Sequence, residues 1–281
     1  MRHPVFRVPR IVGAAVLLAP LAVSALESTD RRMETWTLDD PSAETLVLDD
    51  VEGSIRVTGV AGNQVRLVID KRVEARTRAD LEEIERQMPL LVERRPGRIE
   101  VVVDAPWRGE RGDRKGRHWR NPGRLRYDFT AEIPRDMAVV LRTVNEGEIR
   151  MEGVRGSFEV RNVNGGVHLR GLASAGSART VNGPLTAYFD RAPSTDCDFS
   201  SVNGAVDLSF PPDFGADVRV KTLNGEVYTD FDYALSAFTE SGEDRRGRRM
   251  RRLSRTLRIG GGGPVLSLET VNGDVEIRKN G

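Results

Sequence analysis

The sequence is short of cysteine, of net charge and of long apolar runs, and each shortage excludes something. A single cysteine, Cys197, rules out an intramolecular disulfide, so a hydrophobic core has to hold the fold together. The 43 basic and 42 acidic side chains nearly cancel, which argues against a surface built for nucleic acid. After residue 25, no apolar run reaches the length that a membrane-spanning helix needs.

The first 25 residues have the three parts of a secretory signal peptide in the usual order. Three arginines form a basic region, residues 11–23 are apolar, and a small-residue cleavage site ends at Ala25. We therefore expect an exported protein, periplasmic or at the cell surface, and the alternative is an uncleaved membrane anchor. Removing residues 1–25 leaves 40 basic and 42 acidic side chains, so the mature chain is slightly acidic.

A short motif recurs through the second half of the chain. Its clearest form is Thr-Val-Asn-Gly, and we number its positions from the asparagine as zero. The asparagines of the six copies are Asn145, Asn164, Asn182, Asn203, Asn224 and Asn272. Glycine follows directly in five copies, and Glu146 intervenes in the first. Apolar residues alternate with polar ones on both sides, so each copy predicts a strand, a corner and a second strand. A weaker copy precedes them around Gly53.

Two all-β architectures fit this pattern. In an antiparallel meander each Asn-Gly is a hairpin turn, whereas in a solenoid each unit of about 20 residues stacks in parallel on the last. Pro184 favours the solenoid, because it stands where a hairpin turn needs a backbone N–H. Equivalent Asn, Thr and Val residues would then stack as ladders. The motif is interpreted as architectural, and a row of asparagines that binds a ligand or metal is the alternative.

Residues 77–92 break the strand pattern and predict one short helix. Leu81, Ile84, Met88 and Leu91 recur at helical spacing, and Thr77 with Asp80 marks the start. We expect this helix to end near Pro89 and to cover one end or side of the sheets.

Two charged stretches, residues 105–123 and 235–258, are predicted to be insertions that form solvated loops. The sharper hypothesis is that the second contacts an anionic envelope polymer or lipid headgroups. The residues proposed for that contact are Arg245, Arg246, Arg248, Arg249, Arg251 and Arg252.

Residues suited to catalysis are few. His168 is expected to point outward from a strand, and Cys197 is best interpreted as a small buried hydrophobe. Asp196 and Asp198 lie two apart and are the best candidates for acids that act on a polysaccharide. No Ser, Cys or carboxylate lies at a recognisable catalytic spacing from His118 or His168. We predict no catalytic, cofactor or metal site, and no cofactor.

The Thr-Val-Asn-Gly copies, together with the earlier stretch Leu-Val-Leu-Asp-Asp-Val-Glu-Gly-Ser-Ile-Arg-Val, resemble the bacterial putative-adhesin family of β-strand-repeat proteins. The resemblance covers most of residues 44–278 and rests on short, degenerate motifs. It implies a right-handed parallel β-helix, which we take as one domain over residues 35–281. It carries over no catalytic residues, and the two insertions are not part of the repeated pattern.

Three functional hypotheses follow. The first is a non-catalytic envelope protein that presents an elongated β surface for binding, as an adhesin does. The second is a polysaccharide-active enzyme on the same scaffold, and the third is a sensor or regulator of envelope stress. The expected partner is an anionic envelope polymer, lipid headgroups or another envelope protein, and the sequence leaves the oligomeric state open.

Overall fold

A computed structural model describes residues 26–106, 123–243 and 249–280 of the chain. The predicted signal peptide lies outside these residues. So do Trp107–Arg120 of the first insertion and Arg245, Arg246 and Arg248 of the second.

The described residues form two large β-sheets and one α-helix, which confirms the all-β class. Strands are numbered in chain order. Sheet A has ten strands, in the spatial order β1 (Leu26–Thr37), β4 (Gln64–Ala75), β7 (Gly123–Pro134), β3 (Ile55–Val60), β9 (Ile149–Glu152), β11 (Val167–Leu172), β13 (Leu185–Phe189), β15 (Val206–Phe210), β21 (Val275–Lys279) and β17 (Val227–Thr229). Sheet B has eleven, in the order β18 (Tyr233–Glu243), β19 (Arg249–Ile259), β16 (Ala216–Asn224), β20 (Val265–Asn272), β14 (Cys197–Asn203), β12 (Gly176–Asn182), β10 (Phe158–Asn162), β8 (Ala138–Thr143), β2 (Thr45–Asp49), β6 (Arg98–Val103) and β5 (Leu90–Arg95).

The two strands that flank each Asn-Gly corner lie in different sheets. The strand before Asn182, β12, is in sheet B and pairs in parallel with β10 and β14. The strand after it, β13, is in sheet A and pairs in parallel with β11 and β15. The corners are therefore not hairpins, and the meander alternative is wrong for this part of the chain. The right-handed β-helix with coils of about 20 residues stays a prediction.

The core lies between the two sheets and is built from the alternating apolar positions of the strands. Val206 and Val220, two of the alternating apolar residues that flank the motifs, are 0% and 3% exposed. Phe189, Phe210 and Phe214 stack in series, with ring centroids 4.8 Å and 4.0 Å apart. Cys197 is buried as predicted, and burial raises the pKa of its thiol, so it acts as a core hydrophobe.

The spatial order of the motifs departs from their order in the sequence. Strands β20 and β21, which flank Asn272, lie between β14–β15 and β16–β17 in their sheets. The last copy of the motif is therefore inserted between the copies of Asn203 and Asn224. Nothing in the motif itself distinguishes this order from a sequential one, because every copy offers its neighbours the same pattern.

The N-terminal part is mostly antiparallel. β4 pairs antiparallel with both β1 and β7, and β1 runs through residue 35, the predicted domain boundary.

The α-helix, α1, spans Arg78–Gln87, and the Thr77 hydroxyl accepts a hydrogen bond from the backbone amide of Asp80 at 3.1 Å. Ile84 is fully buried and the helix packs against sheet A, as expected. Leu91 is a correction, because it lies on β5, beyond the end of the helix.

The second charged stretch is not a loop in the residues described. Its flanks form the strands β18 and β19, which pair antiparallel as a hairpin, and β19 pairs antiparallel with β16. The prediction of a solvated loop is therefore wrong for residues 235–243 and 249–258. The physical reason is that a two-stranded ladder satisfies the backbone of this stretch as well as water does in a loop, and β16 offers an edge that β19 extends.

Candidate binding surface

The residue at position −2 of each motif secures one unit to the next. Thr180, Ser201 and Thr270 are buried, and their hydroxyls donate to the glycine carbonyl of a neighbouring corner. The acceptors are Gly165 at 3.0 Å, Gly183 at 3.1 Å and Gly204 at 3.2 Å respectively. In the Asn164 copy this position is Asn162, whose amide donates to the Gly147 carbonyl at 2.8 Å. Thr, Ser and Asn at position −2 therefore have the same role, which is to donate a hydrogen bond to the glycine carbonyl of a neighbouring corner.

The asparagines at position zero form a continuous hydrogen-bonded row, which we call the asparagine ladder. The side-chain amide of each donates to the side-chain carbonyl of the next, at 2.7–3.0 Å, in the order Asn224, Asn272, Asn203, Asn182, Asn164 and Asn145. All six are exposed. Each amide keeps a second N–H and each carbonyl a second lone pair, and exposure leaves these open to a partner or to water.

Glycine at position +1 is required by close backbone approach. Gly165, Gly183 and Gly273 have φ near 155°, and a Cβ at Gly183 would clash with the carbonyl of Gly165.

Pro184 is tolerated at position +2 because the residue at this position contributes its backbone carbonyl as a hydrogen-bond acceptor. Its carbonyl accepts the amide of Val167 at 2.9 Å, and the equivalent carbonyl of Ala205 accepts Leu185 at 2.9 Å. The missing N–H of proline is therefore not needed.

The residue at position −1 faces solvent, and in every copy it is aliphatic. We call this set the aliphatic row: Val144, Val163, Val181, Val202, Val271 and Leu223. Val181 is 37% exposed, Val202 39% and Leu223 75%, and the other three are half-buried. Parallel pairing places these residues side by side next to the asparagine ladder. Six solvent-facing aliphatic side chains in one line are unusual, because polar residues are expected on such a face.

The sequence contains a signal for this row that the motif pattern obscured. Position −1 lies between an inward Thr and the corner Asn, so alternation predicts that it faces outward. An aliphatic residue kept at an outward position is a departure from the strand pattern. The prediction from the sequence was only that the valines at this position stack as an architectural ladder.

Charged side chains elsewhere on the outer face of sheet B are paired with each other. Arg142, Arg161 and Arg179 lie on neighbouring strands in register. Arg142 and Arg161 both contact Glu159, at 2.9 Å and 3.2 Å, and Arg179 contacts Asp198 at 3.1 Å. The hydrogen bond from Arg142 lowers the pKa of Glu159. This part of the face is thus nearly neutral, in contrast to a basic stripe that would bind an anion.

The candidate acids have structural partners. The Asp196 carboxylate accepts the amide of Val265 at 2.8 Å and so fixes the start of β20, while Asp198 pairs with Arg179. Asp196 directly precedes β14, whereas Asp198 lies on that strand. His168 faces outward as predicted, with Nδ1 2.9 Å from the Thr186 hydroxyl. In the residues that the structure describes, no three His, Cys, Asp or Glu side chains are grouped to hold a metal.

The structure describes the backbone of three of the six arginines proposed to contact an anionic partner. Arg249, Arg251 and Arg252 lie on β19, where their backbones are opposite Glu243, Ser241 and Glu240. The other three arginines of the set are outside the described residues. Across the ranges described, no helix has the length and apolar character to span a membrane.

Comparison with known proteins gives only distant structural similarity. No protein-family model and no curated protein matches the chain. A putative cell adhesion protein from Clostridium sporogenes is 10% identical, covers 89% of this chain and 100% of its own, and superposes with a TM-score of 0.46. A putative adhesin from Bacteroides fragilis is 8% identical over 89% of this chain and 97% of its own, with a TM-score of 0.27. A putative lipid binding protein from Parabacteroides distasonis is 10% identical over 90% and 97%, with a TM-score of 0.25. Superpositions of this quality carry no argument about function.

Proposed function

We propose that the chain is an exported, non-catalytic protein of the bacterial cell envelope, and that it binds an extended partner along the aliphatic row and the asparagine ladder. The observation that carries this proposal is the row itself. Six aliphatic side chains stay at solvent-facing positions where the alternation of the strands calls for polar ones, and they run beside six exposed amides.

The geometry of the two rows fits a partner that is itself linear and repetitive. Neighbouring strands lie about 4.8 Å apart, so six copies make a line about 24 Å long. Along this line an apolar contact and a pair of amide hydrogen-bonding groups recur at every step. A regular array suits a polymer with a short repeat, because each unit of the polymer meets the same chemistry and the contacts add along its length.

The partner we propose is an anionic polymer of the envelope, with lipid headgroups and another envelope protein as the competing outcomes. The arginines from Arg245 to Arg252 support an anionic partner, because they form a concentrated positive region on a chain whose mature form is slightly acidic. Their contribution is electrostatic, so it should weaken as salt shortens the screening length to about 3 Å at 1 M.

The wider architecture belongs to the same proposal. We propose a right-handed parallel β-helix as one domain, with charged insertions at about 105–123 and 235–258, and cleavage of the signal peptide near Ala25. Parallel pairing between neighbouring motif-bearing strands supports the β-helix. Mass spectrometry of the mature N-terminus tests the cleavage: a first residue near Leu26 is expected, and Met1 retained in a cytosolic fraction contradicts it.

The binding experiment compares four forms of the mature chain by co-sedimentation with isolated envelope polysaccharide, with anionic vesicles and with envelope protein fractions. The row variant carries Val181→Asp and Val202→Asp. The arginine variant carries Arg248, Arg249, Arg251 and Arg252 changed to Ser. A matched control adds the same two acidic groups at exposed positions far from the row, with Thr29→Asp and Gln64→Asp.

We expect the wild type and the matched control to bind the polysaccharide. The row variant should lose binding at all salt concentrations, whereas the arginine variant should bind more weakly at low salt and equally at high salt. Melting temperatures should agree for all four, because every changed side chain that the structure describes is exposed or at the surface. If the row variant binds as the wild type does, the row is not the binding surface and the proposal is wrong.

A further inference from the structure

We propose that the slot between β14–β15 and β16–β17 is an interaction site for a second copy of this chain. In one molecule the slot is filled by residues 264–280, which we call the arm. The inference is that two molecules can exchange arms reciprocally, each filling the slot of the other, and so form a dimer. It is independent of the binding function proposed above.

The slot is defined by backbone and side-chain contacts on both of its walls. On one wall, Asn272 donates to Asn203 at 2.7 Å and the Gly204 amide donates to the Asn272 carbonyl at 2.9 Å. On the other wall, Asn224 donates to Asn272 at 2.8 Å and the Gly273 amide donates to the Asn224 carbonyl at 3.1 Å. An empty slot would leave two rows of unpaired backbone groups, so the slot strongly favours being filled.

The arm is the one described motif copy that reaches its place out of sequence order. β19 and β20 are consecutive along the chain, yet they lie on opposite sides of β16, with Ile259 opposite Ala216 and Val265 opposite Asp217. The short connection between them therefore crosses the start of β16, a distance of two strand spacings, or about 10 Å. At a connection of this kind the chain can instead stay extended, so that the strand after it pairs in a second molecule.

The crossing is made by four consecutive glycines, Gly260–Gly263, which form the hinge. Gly260, Gly262 and Gly263 have φ of 56°, 78° and 157°, all in the region that other residues rarely adopt. The Gly262 amide donates to the Ile259 carbonyl at 3.0 Å, which closes a tight turn. Glycine gives this segment access to open conformations as well as to the closed turn, and exchange of elements between copies occurs at hinges of this kind.

Exchange conserves the contacts that hold the arm. An arm from a second molecule meets the same walls, with the same register of Asn, Thr and apolar residues. The monomer and the arm-exchanged dimer therefore differ in free energy only through the conformation of the hinge and the cost of association. The dimer fraction should therefore rise with protein concentration and with any change that makes the closed turn harder to form.

The decisive experiment uses the only cysteine of the chain, which lies in the slot wall. Cys197 is opposite Leu266 of the arm, and both face the core. One form of the mature chain keeps Cys197 and has no other thiol. A second form combines Cys197→Ala with Leu266→Cys, so that its thiol is on the arm alone. Neither form can make this disulfide within one molecule.

The two forms are mixed, unfolded, refolded together at high concentration and treated with oxidised glutathione. We expect a covalent heterodimer on non-reducing gels, because an arm thiol can meet a wall thiol only across two molecules. The matched control replaces Leu266→Cys by Leu268→Cys, which is equally buried but lies opposite Phe199, and it should give about tenfold less heterodimer, a preference of about 1.4 kcal/mol. Equal yields from both arm positions, or no heterodimer from either, overturn the proposal.

Two hinge variants that keep the native cysteine give a second measurement. Deleting Gly261 and Gly262 should shift the dimer-to-monomer ratio, measured by light scattering, at least about tenfold toward the dimer, because the shortened connection loses the turn between Ile259 and Gly262 with which it crosses β16. Inserting Gly-Gly-Ser after Gly261, where no atom lies close to the residue, should leave the chain monomeric. A shortened hinge that gives only folded monomer contradicts arm exchange.

Discussion

The motif-bearing part of the molecule and its N-terminal part are both β structure, but they are held together in different ways. From Ala138 to Lys279, leaving aside the β18–β19 hairpin, the contacts that join neighbouring corners recur in series: a hydroxyl to a glycine carbonyl, an amide to an amide, an aliphatic residue beside another. Between Leu26 and Pro134, contacts with no repeated counterpart hold the strands and the helix. Asp128 accepts the Ser54 amide at 2.9 Å, and Lys71 pairs with Glu85 of α1 at 2.5 Å.

The two parts therefore specify their register in different ways. In the motif-bearing part, register is specified by a local pattern repeated at each unit, so a defect should disturb its neighbours in a graded way along the stack. In the N-terminal part, register depends on individual pairs between distant residues, so a defect should act at one place. The predictions that follow test this contrast, in decreasing order of the change in stability that we expect.

The largest loss of stability is expected in the core of the motif-bearing part. Val206 is fully buried between the sheets, so Val206→Asp would place an unpaired charge in an apolar environment. We expect the free energy of unfolding to fall by about 3 to 5 kcal/mol, measured by urea denaturation. Glu226→Lys is the matched control at an exposed position in the same part of the chain, and it should change stability by less than about 0.5 kcal/mol. Similar midpoints for both variants would mean that the two faces have been assigned wrongly.

A second effect concerns the corner glycines. Gly183→Ala forces a Cβ against the Gly165 carbonyl at a φ of 156°, so we expect a loss of about 2 to 3 kcal/mol. Gly261→Ala is the control, because no atom lies near that position and its φ is not in the left-handed region. Thermal unfolding followed by circular dichroism gives both values. A tolerated Gly183→Ala would mean that close backbone approach does not explain the glycine at position +1.

The asparagine ladder predicts that position along the stack matters. Asn182 both donates to Asn164 and accepts from Asn203, whereas Asn145 at the end of the ladder only accepts. Asn182→Ala should therefore cost about 2 kcal/mol and Asn145→Ala about 1 kcal/mol in chemical denaturation. Equal costs would show that the ladder does not act as a connected series.

The smallest change is a pH dependence in the N-terminal part. Burial alone would raise the pKa of Asp128, but hydrogen bonds from Arg126 and Ser54 outweigh it and lower the pKa to about 2. A depressed acid stabilises the fold above its unfolded pKa near 3.8, and this stability is lost as the pH falls toward 2. Because the side chain is 36% exposed, solvent screening reduces the contribution to about 1 kcal/mol.

Urea denaturation at pH 5, 3 and 2 should find this loss in the wild type. Asp128→Asn should be less stable at pH 5 and show a smaller loss between pH 5 and 2, since it has no carboxylate to protonate. Parallel curves for the two proteins would assign the acid sensitivity to other groups.

The sequence predicted the motif-bearing part far better than the rest. Alternation around each Asn identified the buried positions, and Pro184 argued against the hairpin, because both signals are local. The place of β20 and β21 could not be predicted, since the motif of Asn272 fits any neighbour equally well. The β18–β19 hairpin and the antiparallel strands β1, β4 and β7 were missed, because their partners are set by edges available only once the fold exists. For the site, the six aliphatic residues can be found in the sequence, but only the register of strand pairing shows that they lie side by side in one row.

The proposed binding surface depends on the six corners forming one row with a single strand spacing between neighbours. Nitroxide labels at Val144→Cys and Leu223→Cys, in a Cys197→Ala background, measure this directly by double electron–electron resonance, because both side chains lie at the ends of the row. Five spacings of about 4.8 Å predict a distance near 24 Å. In a meander of hairpins the copies would follow sequence order, so Val144 and Leu223 would be four copies apart. At two strand spacings per copy their separation would be about 38 Å, and a distance near that value would contradict the single row.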